Sequence, residues 1–190
     1  MRVALLNVRS RGDAEVLRLL LSDPRVNRSI GQLWVTEAHT RGHTEVVKML
    51  IEAMDENTKW LEVCLSRASV NGSVEIVGIL LSKYRTRELN YNSAYIRACR
   101  HGHQAIVTLL LDLLGSDKIG PLVIRRGFLR ACDMGHINLT KHLLSEGHVT
   151  YQSERLALRA AHRKNNIEVI SHGSFTQELS SSCVHSLLAD

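Results

Sequence analysis

Residues 98–114 read ACRHGHQAIVTLLLDLL, and residues 38–54 read AHTRGHTEVVKMLIEAM. Each string sets an alanine, Ala98 or Ala38, four places before a glycine and follows the glycine with apolar residues. The frame recurs along the chain as Val8 and Gly12, Ala38 and Gly42, Ala68 and Gly72, Ala98 and Gly102, Ala131 and Gly135, and Ala161 and Asn165. Successive turn residues are separated by 30, 30, 30, 33 and 30 positions. A period between roughly 20 and 50 residues marks a repeat architecture, in which similar units stack and build an extended surface in place of a pocket.

Two helical patterns make up one repeat. Past each turn, apolar residues fall mainly at the fourth, fifth, eighth and ninth places, as in Val46, Val47, Leu50 and Ile51. That spacing is one broad stripe on a helix with a period of about 3.6 residues, so the second helix buries one face. Asp13, Thr44 and Ser73 stand where a cap is expected, with Glu15, Glu45 and Glu75 close to the positive end of the helix dipole. Before each turn, Leu5, Val35, Leu65, Tyr95, Phe128 and Leu158 lie three places ahead of the small residue. Both therefore share a face of a short first helix, and the small residue lets the second helix approach closely. The spacing predicts repeats over 1–29, 30–59, 60–90, 91–122, 123–152 and 153–170. The extra three residues of the long interval fall in LLGSDKIGPLVI, where Gly115, Gly120 and Pro121 predict a longer loop. In the last repeat Gly173 and Ser174 stand where leucines are expected, so its second helix should stop early, leaving 171–190 as a terminal cap or a tail.

Composition agrees with this reading and narrows the function classes. With 44% hydrophobic residues but only 4% aromatic and 2 prolines, the 190-residue chain suits Leu-, Val- and Ala-built helices. No apolar run approaches the ~18 residues of a membrane span, and the N-terminal apolar stretch is too short for a signal peptide, so an intracellular and non-membrane protein is expected, cytoplasmic or nuclear. Cys64, Cys99, Cys132 and Cys183 form no CxxC pair, which removes the disulfide and zinc signatures. The net charge of +5 has no polybasic run behind it and gives little support to nucleic-acid binding.

The two opening strings resemble ankyrin repeats, in which alanine precedes a Gly-His turn and a Val-Val, Leu-Leu helix. The resemblance covers roughly residues 3–170, with Gly-His in register at Gly42-His43, Gly102-His103 and Gly135-His136. The Thr-Pro-Leu-His opening of ordinary ankyrin repeats is absent, which makes the chain similar to divergent arrays of protists and large DNA viruses; were it viral, it would sit in the host cytoplasm. The resemblance implies an all-α, ankyrin-like solenoid of about five full helix-turn-helix repeats plus a partial C-terminal one. It also implies protein binding without catalysis, with the Gly-His histidines and Gly12, Gly42, Gly72, Gly102 and Gly135 serving the turns.

No candidate chemistry competes well with that expectation. His39, Cys99, Cys132 and His162 share one register, but stacked helices about 8 to 10 Å apart cannot bring them to one ion with bonds near 2 Å. No nucleophile, base and orienter recur together, and no phosphate-binding glycine loop is present, so no catalytic residue, metal or cofactor is expected. What remains is a surface. Arg67, Arg97 and Arg130 repeat five places before the turn, and Arg100 and His101 lie one helical step beyond Arg97. The resemblance to ankyrin arrays implies contacts from the turn-proximal ends of the first helices, which with these arginines gives the set Arg41, Arg67, Asn71, Arg97, Arg100, His101, Arg130, Asp133 and Met134. The expected partner is a protein, held by a monomeric chain; the alternatives are an acidic ligand or nucleic acid along the arginines, or a role as regulatory subunit of an enzyme encoded elsewhere.

Overall fold

The computed structural model describes residues 11–22, 37–53, 58–84, 89–147 and 149. Among the described residues the regular structure is helical, with no strand. Eight helices are delimited there: α1 Ala14–Leu21, α2 Thr44–Ala53, α3 Thr58–Asn71, α4 Val74–Tyr84, α5 Tyr91–His101, α6 Gln104–Lys118, α7 Pro121–Asp133 and α8 Ile137–Ser145. Residues 37–40 form the end of a further helix before Gly42. None of these is long and apolar enough to cross a membrane. The sixth repeat around Ala161 and Asn165, His162, the segment 171–190, and Leu5, Val8, Val35 and Leu158 lie outside the described residues.

Every expected turn glycine adopts the left-handed backbone: φ is 71° at Gly12, 76° at Gly42, 75° at Gly72, 74° at Gly102 and 77° at Gly135. Only glycine enters this region without steric cost, and here it closes the first helix. The amide one place after the glycine donates to the carbonyl of the alanine: His43 to Ala38 at 2.8 Å, Ser73 to Ala68 at 3.0 Å, His103 to Ala98 at 3.0 Å and His136 to Ala131 at 2.9 Å. The glycine amide donates one residue further on, as from Gly102 to Cys99 at 3.3 Å and from Gly135 to Cys132 at 3.1 Å. Carbonyls that the helix end would orphan are thereby satisfied. His103 (φ −80°, ψ 74°) and His136 (φ −79°, ψ 75°) then turn the chain tightly, with the next amide bonded back to the glycine carbonyl. The second helix starts at once.

The apolar stripe is buried as its spacing predicts. Val46, Val47, Leu50 and Ile51 of α2, Ile76, Val77, Leu80 and Leu81 of α4, and Ile106, Val107, Leu110 and Leu111 of α6 all face inward. In α8 the fifth place past the turn holds Thr140, whose buried hydroxyl donates to the His136 carbonyl at 2.9 Å, so the polar atom is satisfied within its own helix. Leu65, Tyr95 and Phe128 are buried with Ala68, Ala98 and Ala131 on the first helices. The place after each alanine is also interior, occupied by His39, Ser69, Cys99 and Cys132.

The chain divides into two compact units, Met1–Tyr91 and Asn92–Asp190. In the first, α3 packs on α4 across the Gly72 turn, α1 packs on α2, and α2 packs on α4. Contacts between like helices include the Lys48–Glu75 ion pair and the bond from the Tyr84 hydroxyl to the Ile51 carbonyl at 3.4 Å. In the second, α7 packs on α8, while Thr108 of α6 and His142 of α8 share a hydrogen bond of 2.8 Å. Gly127 of α7 lies directly over α5: a Cβ there would sit 2.4 Å from the Tyr95 ring and 2.8 Å from Cys99 Sγ. Alanine is thus not the only small residue that sets helix spacing.

Two local expectations need correction. Asp13 caps α1 through its Oδ1, which accepts from the Val16 amide at 3.1 Å, but Thr44 does not cap α2. It is the first helical residue, and its hydroxyl points back to the Gly42 carbonyl at 3.5 Å, because the tight turn at His43 moves the helix start. The expected loop at 115–121 is mostly helical. The chain breaks at Gly115 (φ 71°, ψ 170°), resumes as helix to Lys118, leaves the helix again at Ile119 and Gly120 with Ile119 completely buried, and restarts with Pro121 in the first turn of α7. Burial of the apolar Ile119 holds the inserted residues against the body.

His39 links burial to pH. The residue is only 4% exposed, and its pKa is lowered, first by burial, then by the Arg67 charge, against a backbone hydrogen bond at Arg67 that acts the other way. Because the folded value lies below the ordinary 6.5, the unfolded chain binds the proton first as pH falls. Its stabilising contribution is full above pH 6.5 and declines below it, by no more than about 1.4 kcal/mol per pH unit. Urea denaturation should therefore show a steeper loss of stability from pH 7.5 to 5.5 in the native chain than in His39→Asn. Equal slopes would remove His39 from the acid response.

Candidate interaction surface

The turn-proximal ends of the first helices carry Arg41, Arg67, Asn71, Arg97, Arg100, His101, Arg130 and Met134 exposed and Asp133 half-buried. Local pairing divides them. Arg41 Nε lies 3.0 Å from Glu37 Oε1, and Arg130 lies 3.6 Å from Asp133, so each carries its own counter-charge one helical turn away. Asn71 donates through Nδ2 to the His39 carbonyl at 3.0 Å, tying its repeat to the one before. Arg97 reaches Ser93 Oγ at 3.4 Å, within its own helix. The arginines that look equivalent by register are electrostatically unequal.

In the second unit the Gly-His histidines have a geometry that the sequence alone did not suggest. Nε2–H of His136 donates to the Arg100 carbonyl at 2.8 Å. A carbonyl can only accept, so this bond fixes the tautomer of the neutral ring. The ring lies over the preceding turn: a Cβ on Gly102 would meet His136 Nδ1 at 2.6 Å. His43 lies over Gly12 in the same way, with Nδ1 at 2.3 Å from such a Cβ. Gly42, whose following repeat has Ser73 in place of histidine, has nothing within 4 Å. His136, docked over Gly102 and bonded to the Arg100 carbonyl, is a clasp from one turn to the turn before it; His43 shares the placement over Gly12 but not the bond. The recurrence of Gly-His was the available signal, but its partner lies a whole repeat away.

The clasp assembles a basic cluster. His101 and His103 stack with ring centroids 6.2 Å apart and planes 12° from parallel. The pKa of His101 is lowered by desolvation first, then by His103, Arg100, His136 and Arg97, all bases. Arg97, Arg100 and His101 stand at i, i+3 and i+4 on α5 and share one face. Beside the cluster an open groove of about 610 Å³ runs between the Gly102 and Gly135 turns, lined by Gln104, His136, Asn138 and Lys141 among others.

Other reactive groups are withdrawn into the core. Burial pushes the Cys99 thiol up to about 12 and that of Cys132 to about 11, and raises Cys64 as well. Thiols held protonated are poor nucleophiles and poor metal ligands. Among the described residues no three His, Cys, Asp or Glu side chains gather as a ligand set for a metal. Compared with protein-family models, with curated proteins and with solved structures, the chain has no match in any of the three.

Proposed function

We propose that the chain is a non-catalytic protein-interaction module built as an ankyrin-like solenoid, with the turn-proximal ends of its first helices as the contact surface. The observation that carries the proposal is the repetition of one closure: five glycines with φ between 71° and 77°, each ending a helix at the same register. A scaffold this regular, bearing residues as different as Arg67, Asn71, His101 and Met134 at its turn ends, provides varied contacts on a uniform frame. Withdrawal of Cys64, Cys99 and Cys132 into the core fits the same reading.

A photo-crosslinking residue placed at Arg67 or Met134 in the full chain is expected to capture the same protein species from native cell extract. The same residue at Glu52, exposed on α2, is expected to capture little of it. Equal capture from both faces, or none from the turn ends, would overturn the proposal. Small-angle scattering checks the solenoid part: an elongated arc is expected, and a compact sphere would contradict it.

A further inference from the structure

We propose that Arg97, Arg100, His101, His103 and His136 of the second unit form a proton-coupled site for an acidic peptide segment. The inference rests on the module reading above and names the partner chemistry and its regulation. Two arginines and a histidine share one face of α5, a second imidazole stacks on the first at 6.2 Å, and a third is brought in by its bond to the Arg100 carbonyl.

Gathering like charges costs free energy unless an anion joins them. The charged and titratable groups acting on His101 are His103, Arg100, His136 and Arg97, and every one of them disfavours its proton. The acid on the neighbouring helix α7, Asp133, is paired with Arg130 at 3.6 Å, and across the groove on α8 stands Lys141, another base. A carboxylate docked between Arg97 and Arg100 would reverse the balance. Its attraction offsets the repulsion on His101, so the ring takes up a proton as the peptide binds, and the peptide binds more tightly where that proton is available.

A peptide fits better than a nucleic acid. The groove beside the cluster offers amide and ammonium groups of Gln104, Asn138 and Lys141 for an extended backbone. Single-stranded nucleic acid is held by exposed aromatic platforms along a track of fixed cations. The exposed large apolar side chains among the described residues are Leu19, Val74, Leu122 and Met134, none of them aromatic.

The test uses the full chain and a fluorescein-labelled hexaglutamate peptide, read by anisotropy at pH 6.0 and 8.0 at one ionic strength. Its carboxylates are ionised at both values, so a pH effect belongs to the protein. Affinity is expected to be about three- to tenfold tighter at pH 6.0, each pKa unit by which the ligand raises the ring being worth about tenfold. His101→Gln should remove most of that difference, so that the affinities at pH 6.0 and 8.0 converge. Arg97→Gln with Arg100→Gln should weaken binding at both; neither change touches the Arg100 carbonyl that His136 needs. Circular dichroism identical to the native chain confirms that the variants fold. Affinity independent of pH, a pH effect that survives His101→Gln, or tighter binding of a labelled oligothymidine of equal charge would each overturn the inference. If hexaglutamate fails to bind while crosslinking from Met134 still captures its protein, the acidic site is wrong and the module stands. If both fail, both are wrong.

Discussion

Truncating Phe128 to alanine is expected to destabilise the second compact unit by about 3 to 5 kcal/mol, the range for emptying a buried aromatic site. Phe128 is completely buried on α7, one turn from the equally buried Ala131 and Cys132. Collapse into the vacancy is opposed from the side where Gly127 already brings α7 against the Tyr95 ring and Cys99 Sγ. With no slack in that contact, the lost methylene and ring burial adds to an unfilled cavity. Leu122, near the start of the same helix, is 65% exposed, and Leu122→Ala should change stability by no more than about 0.5 kcal/mol. Urea denaturation followed at 222 nm measures both. A Phe128→Ala loss below about 1 kcal/mol would mean that the side chain lies at the surface and that α7 does not pack on α5 as described.

Gly102→Ala is expected to cost about 2 to 3 kcal/mol, and Gly42→Ala only about 1 to 2, although both glycines have nearly the same backbone. Their φ values are 74° and 76°, so the left-handed penalty of about 1 to 2 kcal/mol is common to both. The difference comes from the clasp. A methyl group on Gly102 would intrude on the His136 ring at 2.6 Å, whereas one on Gly42 meets nothing within 4 Å. The imidazole must swing away, and its bond to the Arg100 carbonyl, worth about 0.5 to 1.5 kcal/mol, is lost. A double-mutant cycle isolates this part: in a His136→Ala background, Gly102→Ala should cost no more than Gly42→Ala does in the native chain. Equal costs for the two single changes would show that the histidine does not dock.

These two experiments separate what is local in this fold from what is not. The positions of the turns were legible because a left-handed C-terminal cap demands glycine at one place, and Gly12, Gly42, Gly72, Gly102 and Gly135 all supply it. The inward faces were legible because the helical period decides which of Val46, Val47, Leu50 and Ile51 share a stripe. Thr44 was misjudged as a cap because Ser, Thr and Asp look alike to a capping rule, and only the tight turn at His43 decides where the helix starts. The inserted segment around Gly115 was misjudged because glycine and proline signal a break without saying how short it is.

The candidate surface was legible only as a register. Arg41, Arg97, Arg100 and Arg130 look alike in the sequence, yet Glu37 and Asp133 pair with the first and last, while His103 and His136 crowd the middle two around His101. Helix, turn and buried stripe follow from interactions among residues at most five or so apart, which the order of amino acids states directly. The clasp of His136 on Arg100, the Thr108–His142 bond and the Asn71–His39 bond join residues 36, 34 and 32 positions apart. Such contacts exist only once one repeat has docked on another, so their strength and their electrostatic consequence belong to the tertiary structure alone.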